Sequence, residues 1–555
     1  MNHRLRLALK GAMRPPDNDS AFLLDRHRRG VPGRERMAAY ADHDEVDLCI
    51  VGCGAGGATL AQRLARRGWR IVVLEAGPFW DPDEDWVSDE AGAHDLYWTE
   101  PRVIGGDDPV ELGKNNCGRG VGGSMVHYAG FTPRFHPSDF EVRSRDGVGA
   151  DWPISYEDLR THYERLEREL PVAGQWWPWG DPHGYPHAPH PIGAGALRAW
   201  EGARRCGIEV RVGPVGIANG SFGHRPHCIY RGLCLQGCKV NAKASPLITH
   251  VPDAIAHGVE VRADSMAGRI EIDDGSGRCT GVAYFDRAGT ERRQRAAAVA
   301  VAGYSIETPR LLLLSACPRF PRGLGNDGDR VGRSVMVQGA PQVAGRFETE
   351  MRMYKAPPPE ICSEQFYETD PARGFARGFA IQTVGPLPIA WAEHVLADGH
   401  WGEPLREYMR DYNHWYTLGV LSELLPRAEN RVTLADDLDH RGLPVARLDY
   451  TQCDNDRANI AYAKRVLCDI FDAAEAQDVL TIDRYAHLVG GCAMSSSPET
   501  GVVNADHRAW GVPNLFIADG SVMPTQGSAN PALTIMALAS RLAERLADKR
   551  VQVPT

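Results

Sequence analysis

The stretch VDLCIVGCGAGGATLAQRLARRGWRIVVLEAG, residues Val46–Gly77, decides the fold. A β-rich run, Val46–Val51, leads into Gly52, Gly54 and Gly57, spaced G-x-G-x-x-G. An Ala/Leu-rich helical pattern follows, then a second strand, Arg70–Leu74, which closes on Glu75. The first glycine permits the tight turn, the second lets the backbone approach a pyrophosphate, and the third lets helix and strand pack closely. Glu75 stands where a carboxylate can bind both hydroxyls of an adenosine ribose. That carboxylate disfavours a 2′-phosphate, which sets NADP aside and leaves FAD and NAD. A lone glycine fingerprint would be a weak signal; the strand–helix–strand setting makes it a dinucleotide site.

The rest of the chain bounds the class. A length of 555 residues implies two or three domains. With 43% hydrophobic and 24% charged residues and a net charge of −10, the composition is that of a globular protein without a basic stripe, so no nucleic-acid partner is expected. No apolar run is long enough to span a bilayer. The N-terminal MNHRLRLALKGAMRPPDNDS is mildly basic, and its apolar part is too short for a signal-peptide core. A cytoplasmic location is therefore expected. The thirteen cysteines are scattered, and most read as single buried thiols.

Elements alternate along the chain. Residues 1–43 read as an extension, and residues 78–115 as loop. A helix is expected within 151–171, an irregular segment over 172–227, and strands around the turn Asp273–Arg278. Strands recur over 428–450, and a helix that ends in basic residues closes the chain over 531–549. This mixture implies an α/β architecture with an inserted second domain.

The C-terminal block decides between the cofactors. HLVGGCAM from His487, NLFIADGSVMP from Asn514 and SANPALT from Ser528 occur in order, after GRGVGGSMVH from Gly118 and AGYSIETPRLLLLS from Ala302. With the N-terminal fingerprint, these motifs resemble the glucose-methanol-choline (GMC) family of flavin oxidoreductases over residues 44–549. The resemblance implies a two-domain flavoprotein: a Rossmann-like FAD-binding domain from residues 44–131, 240–330 and 481–549, and a sheet-plus-helices substrate domain from 132–239 and 331–480. It implies that His487 is the base that takes the alcohol proton, a role suited to a group with pKa near neutrality. Asn530 falls where the family places a second His or an Asn; its amide can hold the substrate oxygen without competing for the proton. Asp519 and Gly520 fall at flavin-contacting positions. The Gly122–Gly123 pair allows close backbone approach to the flavin ring. His127 falls where some members bond the flavin covalently at its 8α carbon and others merely pack a histidine. His507, in a loop-like stretch, reads as structural.

One motif stands apart. CIYRGLCLQGCKVNAKAS, Cys228–Ser245, carries Cys228, Cys234 and Cys238 at C-x5-C-x3-C. Thiols spaced this closely suit a soft metal centre, and a structural zinc site would normally need a fourth ligand. The chain is most similar to the large subunits of bacterial sugar dehydrogenases, some of which carry a three-iron, four-sulfide cluster on such cysteines. That resemblance implies a [3Fe-4S] cluster here, a small subunit and a cytochrome as partners, and export or membrane association through the partner. The residues between the cysteines, Arg231, Gly232, Leu233 and Gln236, depart from the family's pattern. The expected function is FAD-dependent oxidation of a CH–OH group of a small alcohol, sugar or polyol. The rivals are an oxidase that uses oxygen, with structural cysteines, and a flavin-holding lyase or subunit without redox turnover.

Overall fold

A computed structural model describes residues 31, 33–86, 89–110, 117–220, 222, 225–355 and 357–552. Residues 1–30 and 32 of the expected N-terminal extension lie outside them. At the centre is a five-stranded parallel sheet, in the order Leu515–Ile517, Val299–Val301, Leu48–Val51, Ile71–Leu74 and Glu260–Arg262. Four of the five runs, LFI, VAV, LCIV and IVVL, are buried at every position. Apolar residues on both faces are what a parallel sheet covered on both sides requires. The helix Ala55–Ala65 follows the first strand and packs against the C-terminal helix Ala532–Gln552 and the short helix His250–Ala256.

A second, eight-stranded sheet lies beside the first. Its main path runs Asp478–Ile482, Gln342–Arg346, Trp415–Ser422, Phe379–Val384, Ile361–Ser363 and Arg211–Val212, antiparallel throughout. Met336–Gly339 branches off this path, pairing through Gly339 with Ser422 of Trp415–Ser422, and pairs in turn with Tyr485–Val489. The helix Asp454–Ala473 buries Val466, Leu467, Ile470 and Phe471 on this sheet, against Val343, Ala344 and Trp415. Fully buried Arg377 ties the sheet to the loop around residue 139 through Asp139, Asp146 at 2.9 Å and Glu423 at 2.7 Å.

Most expected elements are present. The helix within 151–171 is Glu157–Glu169, the strands around Asp273–Arg278 are Met266–Ile272 and Cys279–Phe285, and those over 428–450 are Arg431–Leu438 and Pro444–Asp449. Two expectations need correction. Residues 172–227 contain a twelve-residue helix, Ala194–Arg205, whose Ala, Leu and Arg helix formers sit between Pro- and His-rich flanks. Residues 78–115 contain the 3-10 turn Glu90–Leu96 and the strand Val103–Gly105, which pairs with Pro444–Asp449.

Candidate active site

Two cavities meet inside the molecule. The first is a cleft of about 1460 Å³, its solvent-open mouth included, over the C-terminal ends of the parallel strands. Gly52, Gly54, Glu75, Gly118, Gly123, Asp519 and Gly520 all line it. The second cavity, about 1640 Å³, lies between the large sheet and the segment around His127. Ser124, Tyr128, His487 and Asn530 line both.

The cleft is shaped by backbone. Gly52 has φ +100°, and a Cβ there would meet the Ala302 carbonyl at 2.2 Å. Gly57 does not line the cleft; its Cβ would meet the Gly52 carbonyl at 2.0 Å, so it serves the close helix–strand packing. Gly56, which the fingerprint did not single out, is tighter still: a Cβ would fall 1.6 Å from the Ala518 carbonyl. At Gly54 a Cβ would touch only the Gly123 Cα, at 3.5 Å. The helix that begins at Ala55 has no side-chain cap, so its first amides are left for an anion in the cleft. Glu75 binds three loops at once, accepting from the amides of Cys53 at 2.8 Å, Gly77 at 3.0 Å and Gly120 at 3.0 Å. Its Oε2 receives one of these three bonds and keeps acceptor capacity for a ribose hydroxyl. Asp519 accepts from the Ser521 and Tyr304 amides and from the Thr308 hydroxyl, so it caps two helix starts while facing the cleft. The glycine cradle, uncapped helix start and ribose-facing acid fit an FAD.

At the junction of the cavities, His487 sits in a β-bulge. Val337 pairs with Leu488 and Gln338 with Ala486, so His487 is the extra residue of its strand. Its φ is +24°, unusual for a residue with a side chain. A bulge turns a side chain off the strand's alternation, and here it aims the imidazole at the junction. His487 Nδ1 lies 2.7 Å from Gln338 Oε1. The Gln338 amide donates to the carbonyls of Gly527 at 2.8 Å and Ala529 at 3.0 Å, which orients its oxygen toward the imidazole. Nδ1 therefore carries the proton and Nε2 a lone pair. Burial pushes the His487 pKa down to about 4, so the imidazole is neutral near pH 7. The Asn530 amide nitrogen donates to Nε2 at 3.2 Å, and its oxygen, buried, has no partner among the described residues.

His127 and Gly122 do not line the cleft. His127 faces the second cavity, edge-on to Tyr97 with ring centroids 5.0 Å apart. Burial and then the charge of Lys243 push its pKa down to about 3, and its buried Nε2 has no partner among the described residues. Gly122, at φ +101°, holds the loop by donating to the Cys53 carbonyl at 2.8 Å. His507 lines neither cavity; it is fully buried, with Nδ1 2.9 Å from the Ile517 carbonyl.

All thirteen cysteines are free. Cys228, Cys234 and Cys238 pack against one small apolar cluster, Val215, Ile217, Val240 and Ala242. Burial pushes the Cys228 thiol up to about 11 and the Cys234 thiol up to about 12, and neighbouring thiols add to both shifts. Amides aim at two of the sulfurs, Tyr230 N to Cys228 Sγ and Lys243 N to Cys238 Sγ, both at 3.4 Å. Among the described residues, no group of three or more His, Cys, Asp or Glu side chains is arranged as a ready metal site. The three thiols thus share a pocket and the right donor chemistry without forming a preassembled ligand set. Leu235 and Gln236, between the last two cysteines, line the second cavity.

Several wall residues of that cavity escaped the sequence reading. Gln342, Gln382, Thr383 and Arg484 come from separated strands and turns of the large sheet. Gln338 behind His487 was signalled only by a polar residue inside the apolar run VMVQGA.

A dinucleotide cleft joined at Ser124, Tyr128, His487 and Asn530 to a second, side-chain-lined cavity is the arrangement of a flavin-dependent oxidoreductase. The GMC oxidoreductase family matches this chain over residues 114–337 and 426–539. It is 32% identical over 545 residues to the 2-methyl-1,2-propanediol dehydrogenase of Mycolicibacterium austroafricanum, covering 90% of this chain and 94% of that one. It is 27% identical over 541 residues to the fructose dehydrogenase large subunit of Gluconobacter japonicus, covering 90% and 97%. Among solved structures, a formate oxidase superposes with a TM-score of 0.65 at 17% identity, over 92% of this chain and all of that one, a likeness of fold. The chain belongs to the GMC oxidoreductase family. It is an FAD-dependent oxidoreductase acting on CH–OH donors. Among the described residues, no helix is long and apolar enough to cross a membrane.

Proposed function

We propose that this protein is an FAD-dependent dehydrogenase that oxidises a CH–OH group of a sugar or polyol and passes the electrons outward through an iron–sulfur cluster on Cys228, Cys234 and Cys238. The observation that carries the reading is the neutral imidazole of His487, its Nε2 lone pair aimed where the two cavities meet. FAD, when bound, supplies the hydride acceptor. Gly52, Gly54, Gly123, Asp519 and Gly520 would hold it, with Glu75 on its ribose. His487 Nε2 takes the hydroxyl proton as the C–H bond breaks, while the Gln338 carbonyl stabilises the imidazolium through Nδ1–H. Asn530 now donates to Nε2; a substrate oxygen entering there takes over that bond and is held beside the base. The second cavity receives the rest of the substrate, and the amides of Gln342 and Gln382 and the hydroxyl of Thr383 suit the hydroxyl groups of a polyol.

A three-iron cluster, when bound, would supply a one-electron exit. The two amide-to-sulfur bonds and the place of Leu235 and Gln236 in the cavity wall favour it. At the outer side, Ile229 and Tyr230 next to Cys228 are exposed at 41% and 36%, where a partner subunit or a cytochrome could receive electrons. The absence of a ready metal arrangement among the described residues favours a second reading, an oxidase with structural cysteines. His127 presents a neutral Nε2 with no partner among the described residues, the form an 8α bond to the flavin requires. Colour that stays with acid-precipitated protein, and is released in His127→Ala, is the signature of that bond.

The test is a screen of vicinal diols, sugars and sugar acids with a dye acceptor, run beside oxygen uptake. Dye reduction far faster than oxygen uptake is expected. Hydrogen peroxide formed as fast as substrate disappears would establish the oxidase instead.

A further inference from the structure

Lys243 lies in the loop that carries the cysteines and is 2% exposed. Its ammonium donates to three backbone carbonyls, Val126 at 3.0 Å, Tyr128 at 2.7 Å and Cys234 at 2.5 Å. Three acceptors need three N–H bonds, and a neutral amine has only two, so the geometry describes a charged lysine. Among the described residues it has no carboxylate partner. Arg225, 6% exposed, repeats the pattern: it donates to the carbonyls of Asn241 at 3.2 Å and Ala242 at 3.1 Å, and no carboxylate pairs with it among the described residues.

A buried charge without a counter-ion is costly, and three other buried arginines are closely paired with carboxylates. Arg134 pairs with Glu167 and Asp181, Arg310 with Glu307 and Asp439, and Arg377 with three carboxylates. The corner around the cysteines departs from that pattern. Lys243 touches two of the cysteines directly, its ammonium on the Cys234 carbonyl and its amide on the Cys238 sulfur at 3.4 Å, and Arg225 holds the carbonyls of Asn241 and Ala242, which lie between Cys238 and Lys243 in the chain. The missing anion is therefore to be sought on the sulfurs.

We propose that Lys243 and Arg225 are the counter-charges of a thiolate-bound cluster on Cys228, Cys234 and Cys238, positioning residues that favour its assembly and raise its reduction potential. This rests on the cluster reading above. Three thiolates on a three-iron, four-sulfide core give a net negative charge, with one unit more after reduction. Adjacent fixed cations therefore favour the reduced form. Lys243 also touches both sides of the wall: its ammonium lies 5.0 Å from the centre of the Tyr128 ring, which lines both cavities, while its own amide bonds Cys238.

The test uses full-length protein purified without oxygen. Iron, acid-labile sulfide and FAD are counted per chain, and the cluster's midpoint potential is titrated. Lys243→Met should keep its FAD, lose more than half its iron, and shift what remains to a more negative potential. Lys243→Arg should restore most of both. Arg225→Gln keeps the carbonyl bonds without the charge; it should shift the potential the same way by less, and it carries the test should Lys243→Met fail to fold. Full iron and an unchanged potential in Lys243→Met, or in Arg225→Gln where that variant stands in for it, overturn this inference alone. A native protein free of iron and sulfide overturns the cluster reading and this inference with it.

Discussion

The two cavities that meet at His487 are built from different material. The cofactor cleft is made of backbone: glycines whose missing side chains admit a neighbouring carbonyl, an uncapped helix start, and two carboxylates that receive amides from several loops. The second cavity, proposed to receive the substrate, is made of side chains, Gln342, Gln382, Thr383, Arg484 and their neighbours, drawn from separated parts of one large sheet. Backbone walls accept little change, because a Cβ at Gly52 or Gly56 would run into a neighbouring carbonyl. Side-chain walls can be exchanged one at a time, which is how one fold serves many alcohols.

That contrast is breakable by substitution. The largest effect belongs to Gly52→Ala, which combines a left-handed backbone with a clash against the Ala302 carbonyl. A destabilisation of about 2–5 kcal/mol is expected, with little FAD-loaded protein recovered. Gly54→Ala should behave differently: its Cβ meets nothing closer than 3.5 Å, so the thermal midpoint of the FAD-free protein stays while FAD affinity falls. Equal stability loss in both variants would break the account of the cleft.

Gln338→Met removes the acceptor that fixes the His487 tautomer. Turnover should fall by about one to two orders of magnitude with FAD content unchanged, since base and substrate lose alignment. Unchanged turnover would mean that the bulge alone positions the imidazole.

The pH dependence separates the two sides as well. Burial holds the pKa of His487 and His507 to about 4 and that of His127 and His394 to about 3, all below the ordinary value of about 6.5. The unfolded chain binds more protons in that window, so the stability these groups contribute is present above about pH 6.5 and is lost as pH falls toward 4. His136 has the opposite sign. Against the pull of burial, its bonds to Glu364 and Glu368 hold it up to about 9, so its contribution is complete below about 6.5 and lost as pH rises through 9. Urea midpoints should therefore fall from pH 7 to pH 5, and a rise on acidification would contradict the burial of the histidines. His136→Gln should flatten the decline on the alkaline side.

The smallest effect is expected at Arg484→Gln, on the substrate wall. FAD content and kcat should hold while KM for the preferred substrate changes by about tenfold, the scale of one lost charged hydrogen bond. A variant that loses FAD would move Arg484 from the substrate wall into the cofactor's support.

The same contrast explains what the sequence could tell. The fingerprint at Gly52, Gly54 and Gly57 is legible because backbone geometry leaves few residue choices, and the β-rich runs on either side of the helical pattern read as strands. The block around His487 and Asn530 was legible by resemblance, and the structure brings the two side chains to 3.2 Å. The bulge that aims His487 was not legible, because it arises from pairing with residues about 150 positions away. The substrate wall was hidden for the same reason: Gln342, Gln382 and Thr383 are single polar residues in strands, and only the sheet gathers them. The helix Ala194–Arg205 was masked by the Pro and His around it. Lys243 carried no signal of its own, since nothing local shows that three carbonyls enclose it.

The central claim is that proton removal belongs to His487 and electron export to another part of the molecule. Anaerobic rapid mixing of FAD-loaded protein with its best substrate measures the first step alone, as bleaching of the flavin. His487→Ala should bleach about two to four orders of magnitude more slowly than native protein with its FAD spectrum intact, the usual contribution of a positioned base, while Cys234→Ser bleaches at the native rate. Native-rate bleaching in His487→Ala would contradict the account.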